Sequence, residues 1–162
     1  MTQNNINTRN PVVQVVSAST SAVVTCNTTI PVDDTIPQNT EGTEVLTLAI
    51  TPIKTTNLLY ISFQGTANNN GTSNTVQVAL FQDATANALT VIKGIEENPG
   101  AQLNGGSISL LYIMAAGTTS ATTFKIRVGP DTSTCYINAN SAGTRLFGGV
   151  AATNLTITEY AN

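Results

Sequence analysis

The feature that most constrains this chain is its periodicity, which is two residues in every informative stretch and nowhere the 3.6 of a helix. Leu46, Leu48 and Ile50 alternate with Val45, Thr47 and Ala49, and Val76, Val78 and Leu80 share one face of Thr75–Gln82. Ile108, Leu110, Tyr112 and Met114 alternate with Ser107, Ser109, Leu111 and Ile113. The same alternation recurs through Phe124, Ile126 and Val128, and through Leu155, Ile157 and Glu159. β-Branched residues dominate these runs, as a pleated, half-buried surface favours. Apolar segments near 12–16, 22–30, 58–63, 88–95 and 134–137 bring the total to about ten strands, separated by Gly-, Pro- and Asn-rich turns. The predicted fold is all-β: a two-sheet antiparallel sandwich, with the jelly roll as its size-matched form. A chain of 162 residues is long enough for one such core, predicted over 12–162.

Two stretches are apolar on both faces: Leu58-Leu59-Tyr60-Ile61 with Phe63, and Ile108 to Met114. A sandwich strand with one wet face should read polar on that side. Leaving apolar surface in water costs about 25 cal/mol per Å², so a strand of this kind needs a second cover. A neighbouring copy supplies that cover most simply. Leu59, Ile61, Phe63, Leu111 and Ile113, with Ile157 of the final strand, are the candidate interface residues.

Composition removes several function classes. Charged residues make up 9% of the chain, against about 25% in an ordinary domain. The polar surface must come instead from 28 Thr, 18 Asn and 10 Ser. A net charge of −3 with six scattered cations gives no footprint for nucleic acid, and no apolar run is long enough to insert in a membrane. With no histidine, Ser-His, Cys-His and His-metal chemistry is excluded. Asp33-Asp34 and Glu96-Glu97 sit in turn-rich segments, and adjacent strand residues point opposite ways, so neither pair suits the paired carboxylates of a glycosidase. Gly105-Gly106-Ser107 and Phe147-Gly148-Gly149 match no phosphate-binding motif. The chain is predicted not to be an enzyme and to need no cofactor or metal. Cys26 and Cys135 lie 109 positions apart. That spacing leaves both a disulfide and two buried thiols open, because the bond depends on Cα separation.

Residues 1–11 are polar, have neither the basic nor the apolar region of a secretory signal, and end in Asn10-Pro11. They read as an extended arm that orders only against a partner, with Asn5, Ile6 and Arg9 as candidate anchoring residues. Asn68-Asn69-Asn70-Gly71 predicts a hairpin with positive φ. The loops at Gly65–Asn74 and Glu96–Gly106, through Asn68, Asn69, Asn70, Glu96, Glu97 and Asn98, are the candidate ligand contacts. Their amides and carboxylates would hydrogen-bond a polar ligand such as a host glycan.

Several stretches carry a resemblance when taken together. They are Ser19–Cys26 with Ile36-Pro37-Gln38-Asn39-Thr40-Glu41-Gly42, Val78-Ala79-Leu80-Phe81-Gln82-Asp83, Ala115–Ser120 running into Thr123–Gly129, and Gly143–Gly149 with Leu155–Glu159. Over about residues 12–160 the chain resembles modules at the ends of phage and prophage tail fibres and other virion surface proteins. These are similar in turn to the trimeric jelly rolls of tumour necrosis factor and the complement globular head. The resemblance implies a homotrimer on a virion surface, as fibre tip, spike or capsid decoration, docked to other virion proteins through the arm. The alternative is a free carbohydrate-binding lectin.

Overall fold

A computed structural model describes residues 11–71, 75–96 and 105–162, and they form an antiparallel sandwich. Its ten strands are β1 (Val12–Thr20), β2 (Val24–Cys26), β3 (Thr43–Ile50), β4 (Leu58–Asn69), β5 (Thr75–Gln82), β6 (Thr90–Glu96), β7 (Gly105–Ala115), β8 (Thr122–Pro130), β9 (Cys135–Ile137) and β10 (Thr153–Tyr160). In the first sheet β4 is the spine. It pairs with β7 along one edge, and on the other with β10 over Leu58–Gln64 and with β9 over Ala67–Asn69. β1 closes that sheet beyond β10, and β2 closes it beyond β9. The second sheet runs β3-β8-β5-β6. Among the eight long strands, successive ones alternate between the sheets except at the β5–β6 hairpin. The orders β1-β10-β4-β7 and β3-β8-β5-β6 are those of a jelly roll.

Period-two patterning decides what lies between the sheets. Leu59, Ile61 and Phe63 of β4, Leu155 and Ile157 of β10, and Ile108 and Leu110 of β7 face Val76, Val78, Leu80, Phe124, Ile126 and Val128 across one core. The predicted strand over 22–30 shrinks to Val24–Cys26, because Asn27-Thr28-Thr29 is polar and Pro31 follows. The predicted Asn68–Gly71 hairpin is also corrected. β4 and β5 lie in opposite sheets and so are not hairpin partners, and Asn68 and Asn69 still belong to β4.

The outer faces of the two sheets are treated differently. β5 is buried on both sides from Thr75 to Phe81. Its outward Ala79 and Phe81 meet Ile30 and Ala88 in a second, smaller core. The cover is the chain's own 27–42 segment, held by backbone bonds from Ile30 N–H to Pro130 O at 3.0 Å and Asn39 N–H to Ala86 O at 2.8 Å. Arg127, projecting outward from β8, donates to the carbonyls of Glu41 at 2.6 Å and Gly42 at 2.7 Å. The segment lies so close that a Cβ on Gly129 would sit 2.6 Å from Thr28 O. Arg127→Ala should therefore cost about 2 kcal/mol and loosen 27–42. Limited proteolysis followed by mass spectrometry should find new cuts there, and an unchanged digest would show that the guanidinium is not the clamp.

At the opposite corner, Glu159 is the one fully buried charged side chain among the described residues. Its Oε1 accepts from Asn57 Nδ2 at 2.6 Å and Ile53 N–H at 2.9 Å, and its Oε2 accepts from Gln14 Nε2. Burial pushes this carboxyl up, but the donors from Gln14, Asn57 and the Ile53 and Lys54 backbone outweigh it and hold it below the ordinary 4.5. The folded value is lower than the unfolded one, so the stabilisation is complete above the unfolded pKa and is lost as pH falls through the folded one. Thermal unfolding followed by circular dichroism should give a Tm that is flat down to about pH 5 and falls below it. Glu159→Gln should flatten that fall. Asp33, an exposed carboxyl that the Thr35 hydroxyl and N–H also hold low, stays in the variant. An equal acid slope in the variant would remove Glu159 as its source.

Candidate assembly surface

Among the described residues, no segment does for the first sheet what 27–42 does for the second. The strand register sets four rows across its outer face: Val15–Thr158–Tyr60–Ile113, Ser17–Thr156–Ser62–Leu111, Ser19–Asn154–Gln64–Ser109, and Tyr160–Leu58–Ala115. No charged side chain stands in any row. One end is apolar and wet: Val15 is 56% exposed, Ile113 45% and Leu111 62%. Between them the Tyr60 and Tyr160 rings meet at 4.6 Å between centroids, tilted by 59°. Depletion of charge around aromatic and aliphatic side chains is the composition of an interface core, not of a solvated sheet.

The edges point the same way. Neither β1 nor β7 carries a charge or an internal proline, whereas β3 has Glu44 and β6 has Lys93. Exposed edge strands are normally blunted by such residues. On this sheet they are missing at both of its long edges.

The structure divides the residues expected at an interface. Leu111 and Ile113 face outward on β7. Leu59, Ile61, Phe63 and Ile157 are corrected: each is 0% exposed, on the inward phase of its strand, and packs inside the single subunit. The residues that share the outer face instead are Leu58, Tyr60, Val15 and Tyr160. Their signal was the opposite phase of the same strands, which turns polar at Ser62 and Gln64 while the Leu59 phase stays apolar to Phe63.

The candidate ligand asparagines serve the fold. Asn68 Nδ2 donates to Ala139 O at 2.6 Å, Asn69 Oδ1 accepts from Gly71 N–H at 2.9 Å, and Asn70 Oδ1 accepts from Thr134 N–H at 3.1 Å. Asn69 is fully buried, which removes it from any ligand surface. Glu96 ends β6. Glu97, Asn98, Asn5, Ile6 and Arg9 lie outside the described residues. At the polar end of the outer face, a cleft of about 480 Å³ is lined by Gln64, Gly65, Thr66, Ser107, Ser109 and Asn154, all neutral. Among the described residues, no group of three or more His, Cys, Asp or Glu side chains is arranged to hold a metal ion.

No family model matches this chain, and no curated protein matches it. Solved structures of infectious bursal disease virus superpose on most of it. A chain of its T=1 particles is 8% identical with a TM-score of 0.45, covering 92% of this chain and 36% of that one. For the Gt strain the figures are 10%, 0.44, 93% and 39%, and for the VP2 subviral particle 8%, 0.44, 92% and 38%. The chain spans under half the length of each of these viral chains.

Two substitutions separate core from surface. Leu59→Asp should abolish folding, since an unpaired carboxylate in that core costs more than about 4 kcal/mol. Ile113→Asp should leave the subunit's own fold within about 0.5 kcal/mol of wild type. Circular dichroism and one-dimensional NMR of the two proteins check this, and an unfolded Ile113→Asp would place that side chain in the core.

Proposed function

We propose that this chain is a bacteriophage virion structural protein. In this reading it is a homotrimer, acting as fibre tip, spike or capsid decoration, that stands on the virion surface and displays its loops for host attachment. The observation that carries the reading is the outer face of the first sheet, charge-free in its four rows and covered by no described segment, with Leu58, Tyr60, Leu111, Ile113, Val15 and Tyr160 at its apolar end. A chain with 9% charged residues has little else to keep such a face soluble, and association with copies of itself covers the face and both bare edges together. Threefold symmetry and the phage setting rest on the resemblance of the quoted sequence stretches to tail-fibre modules. Residues 1–11 act as the arm that docks to other virion proteins.

A free carbohydrate-binding module is the second reading, and one observation favours it. The cleft sets the neutral donors and acceptors of Gln64, Thr66, Ser107, Ser109 and Asn154 beside the apolar Ile108 and Ala152, a mixture that suits the hydroxyls and ring faces of a sugar. The same surface leaves polymer hydrolysis without a carboxylate pair.

Light scattering on the purified protein should give three times the subunit mass, and Ile113→Asp should give one. A wild-type protein that stays a single subunit at micromolar concentration would overturn the assembly. Mass spectrometry of purified particles should find the chain in stoichiometric amount, and deletion of residues 1–11 should abolish its incorporation. Absence from particles together with a positive glycan array would favour the lectin.

A further inference from the structure

The fold brings together two cysteines that the sequence keeps far apart. β2 and β9 are antiparallel, and Cys26 and Cys135 are direct partners in their register. Both are fully buried in the main core, and both are free thiols. Directly opposed residues in an antiparallel pair have Cα atoms about 4.5 or 5.5 Å apart, and a disulfide accepts about 4.4–6.8 Å. The side chains of such a pair project from the same face, so a small approach of the two strands is enough to join them.

We propose that Cys26 and Cys135 are a dithiol–disulfide site that locks the β2 edge once the protein meets an oxidising medium. The oxidant is a small-molecule disulfide. One cysteine, as thiolate, attacks a sulfur of the oxidant, forming a mixed disulfide and expelling one equivalent of small thiol. The second cysteine then attacks the protein-side sulfur, expelling the second equivalent and closing the Cys26–Cys135 bond. Two protein thiols are oxidised, one oxidant disulfide is reduced, and the two protons leave with the released thiols.

The geometry sets both the rate and the reversibility. In the closed subunit the Cys26 thiol beside Cys135, together with burial, pushes the Cys135 thiol far up, so almost no thiolate is available. Reaction therefore waits on opening of β2, a three-residue strand at the margin of its sheet. Cβ atoms of opposed residues sit about 4.5–5.5 Å apart, whereas a relaxed disulfide prefers about 3.5–4.5 Å. Closing the bond draws the strands together, and such a bond is reduced more readily than an unstrained one. The ring it closes spans most of the chain, which restricts the unfolded state strongly. The site is independent of how the subunits assemble.

Wild-type protein unfolded and refolded in oxidised glutathione, then alkylated and weighed intact, should be lighter by two hydrogens and carry no alkyl group. Its Tm should rise by roughly 5–10 °C and return to the starting value in dithiothreitol. Native protein given the same oxidant should reach that product more slowly. Cys135→Ser should abolish the Tm rise. Two alkylatable thiols after oxidative refolding, a persistent glutathione adduct, a disulfide form with no higher Tm, or a rise that survives Cys135→Ser would each overturn the site.

Discussion

A β-sheet has two faces, and in a chain this short only one of them can be buried between the sheets. The structure is organised around what happens to the other face. On the second sheet the answer is internal: the irregular 27–42 segment lies over β5, so that Ala79 and Phe81 are as dry as Val78 and Leu80 on the inner side. Arg127 and the close approach permitted by Gly129 keep it there. On the first sheet the described residues provide no such layer, yet the outer residues at the β1–β10–β4–β7 end are of the type that wants one. That asymmetry, more than the sandwich itself, is the structural fact from which the functional reading follows.

The scarcity of charge has a second consequence. A solvated surface built from Thr, Asn and Ser cannot use ion pairs to hold chain ends in place. The one buried carboxylate among the described residues is spent on that task. Through Gln14, Ile53 and Asn57 it ties β1 and the β3–β4 connection to β10. Asn162 N–H adds the C-terminal end by donating to Asn57 Oδ1 at 3.2 Å. The hub lies beneath the apolar end of the outer face. The rows that carry Tyr60, Tyr160 and Val15 are thereby presented on a fixed backbone.

Strand positions were legible because inward and outward side chains must alternate, and the runs from Leu46, Val76, Phe124 and Leu155 follow that rule. Which phase of a two-sided strand faces inward is not legible from Leu58 and Leu59, which are equivalent by themselves; only Ser62 and Gln64, further along, mark the outward phase. Only Leu111 and Ile113 of the expected interface set face outward; Leu59, Ile61, Phe63 and Ile157 lie on the inward side of their strands. The covering segment was invisible for a different reason. It has no period, and its anchors are backbone carbonyls that leave no mark in side-chain type. Asn68, Asn69 and Asn70 looked like a ligand loop because Asn suits turns and ligands alike, and here their amides bond neighbouring backbone instead. The pairing of Cys26 with Cys135 depends on β2 and β9 meeting at the end of the sheet, which no separation in sequence could reveal.

What would cover the first sheet is constrained by the chemistry of its rows. A charged partner gains nothing there, because no row carries a charge to meet it. A partner offering only apolar area would strand Ser17, Thr156, Ser62 and Ser109, whose hydroxyls still need hydrogen bonds once water leaves. The occupant has to be apolar at one end and rich in neutral donors and acceptors at the other, at the same spacing. Neighbouring copies of this chain offer surface of that description. In a ring, the β1 or β7 edge of one copy can lie against the outer face of the next, so that face and edge are covered in the same step. A closed ring of copies satisfies every edge, whereas an open stack would leave one bare at each end. In the proposed reading a small closed oligomer accounts for the face, the edges and the missing charges together.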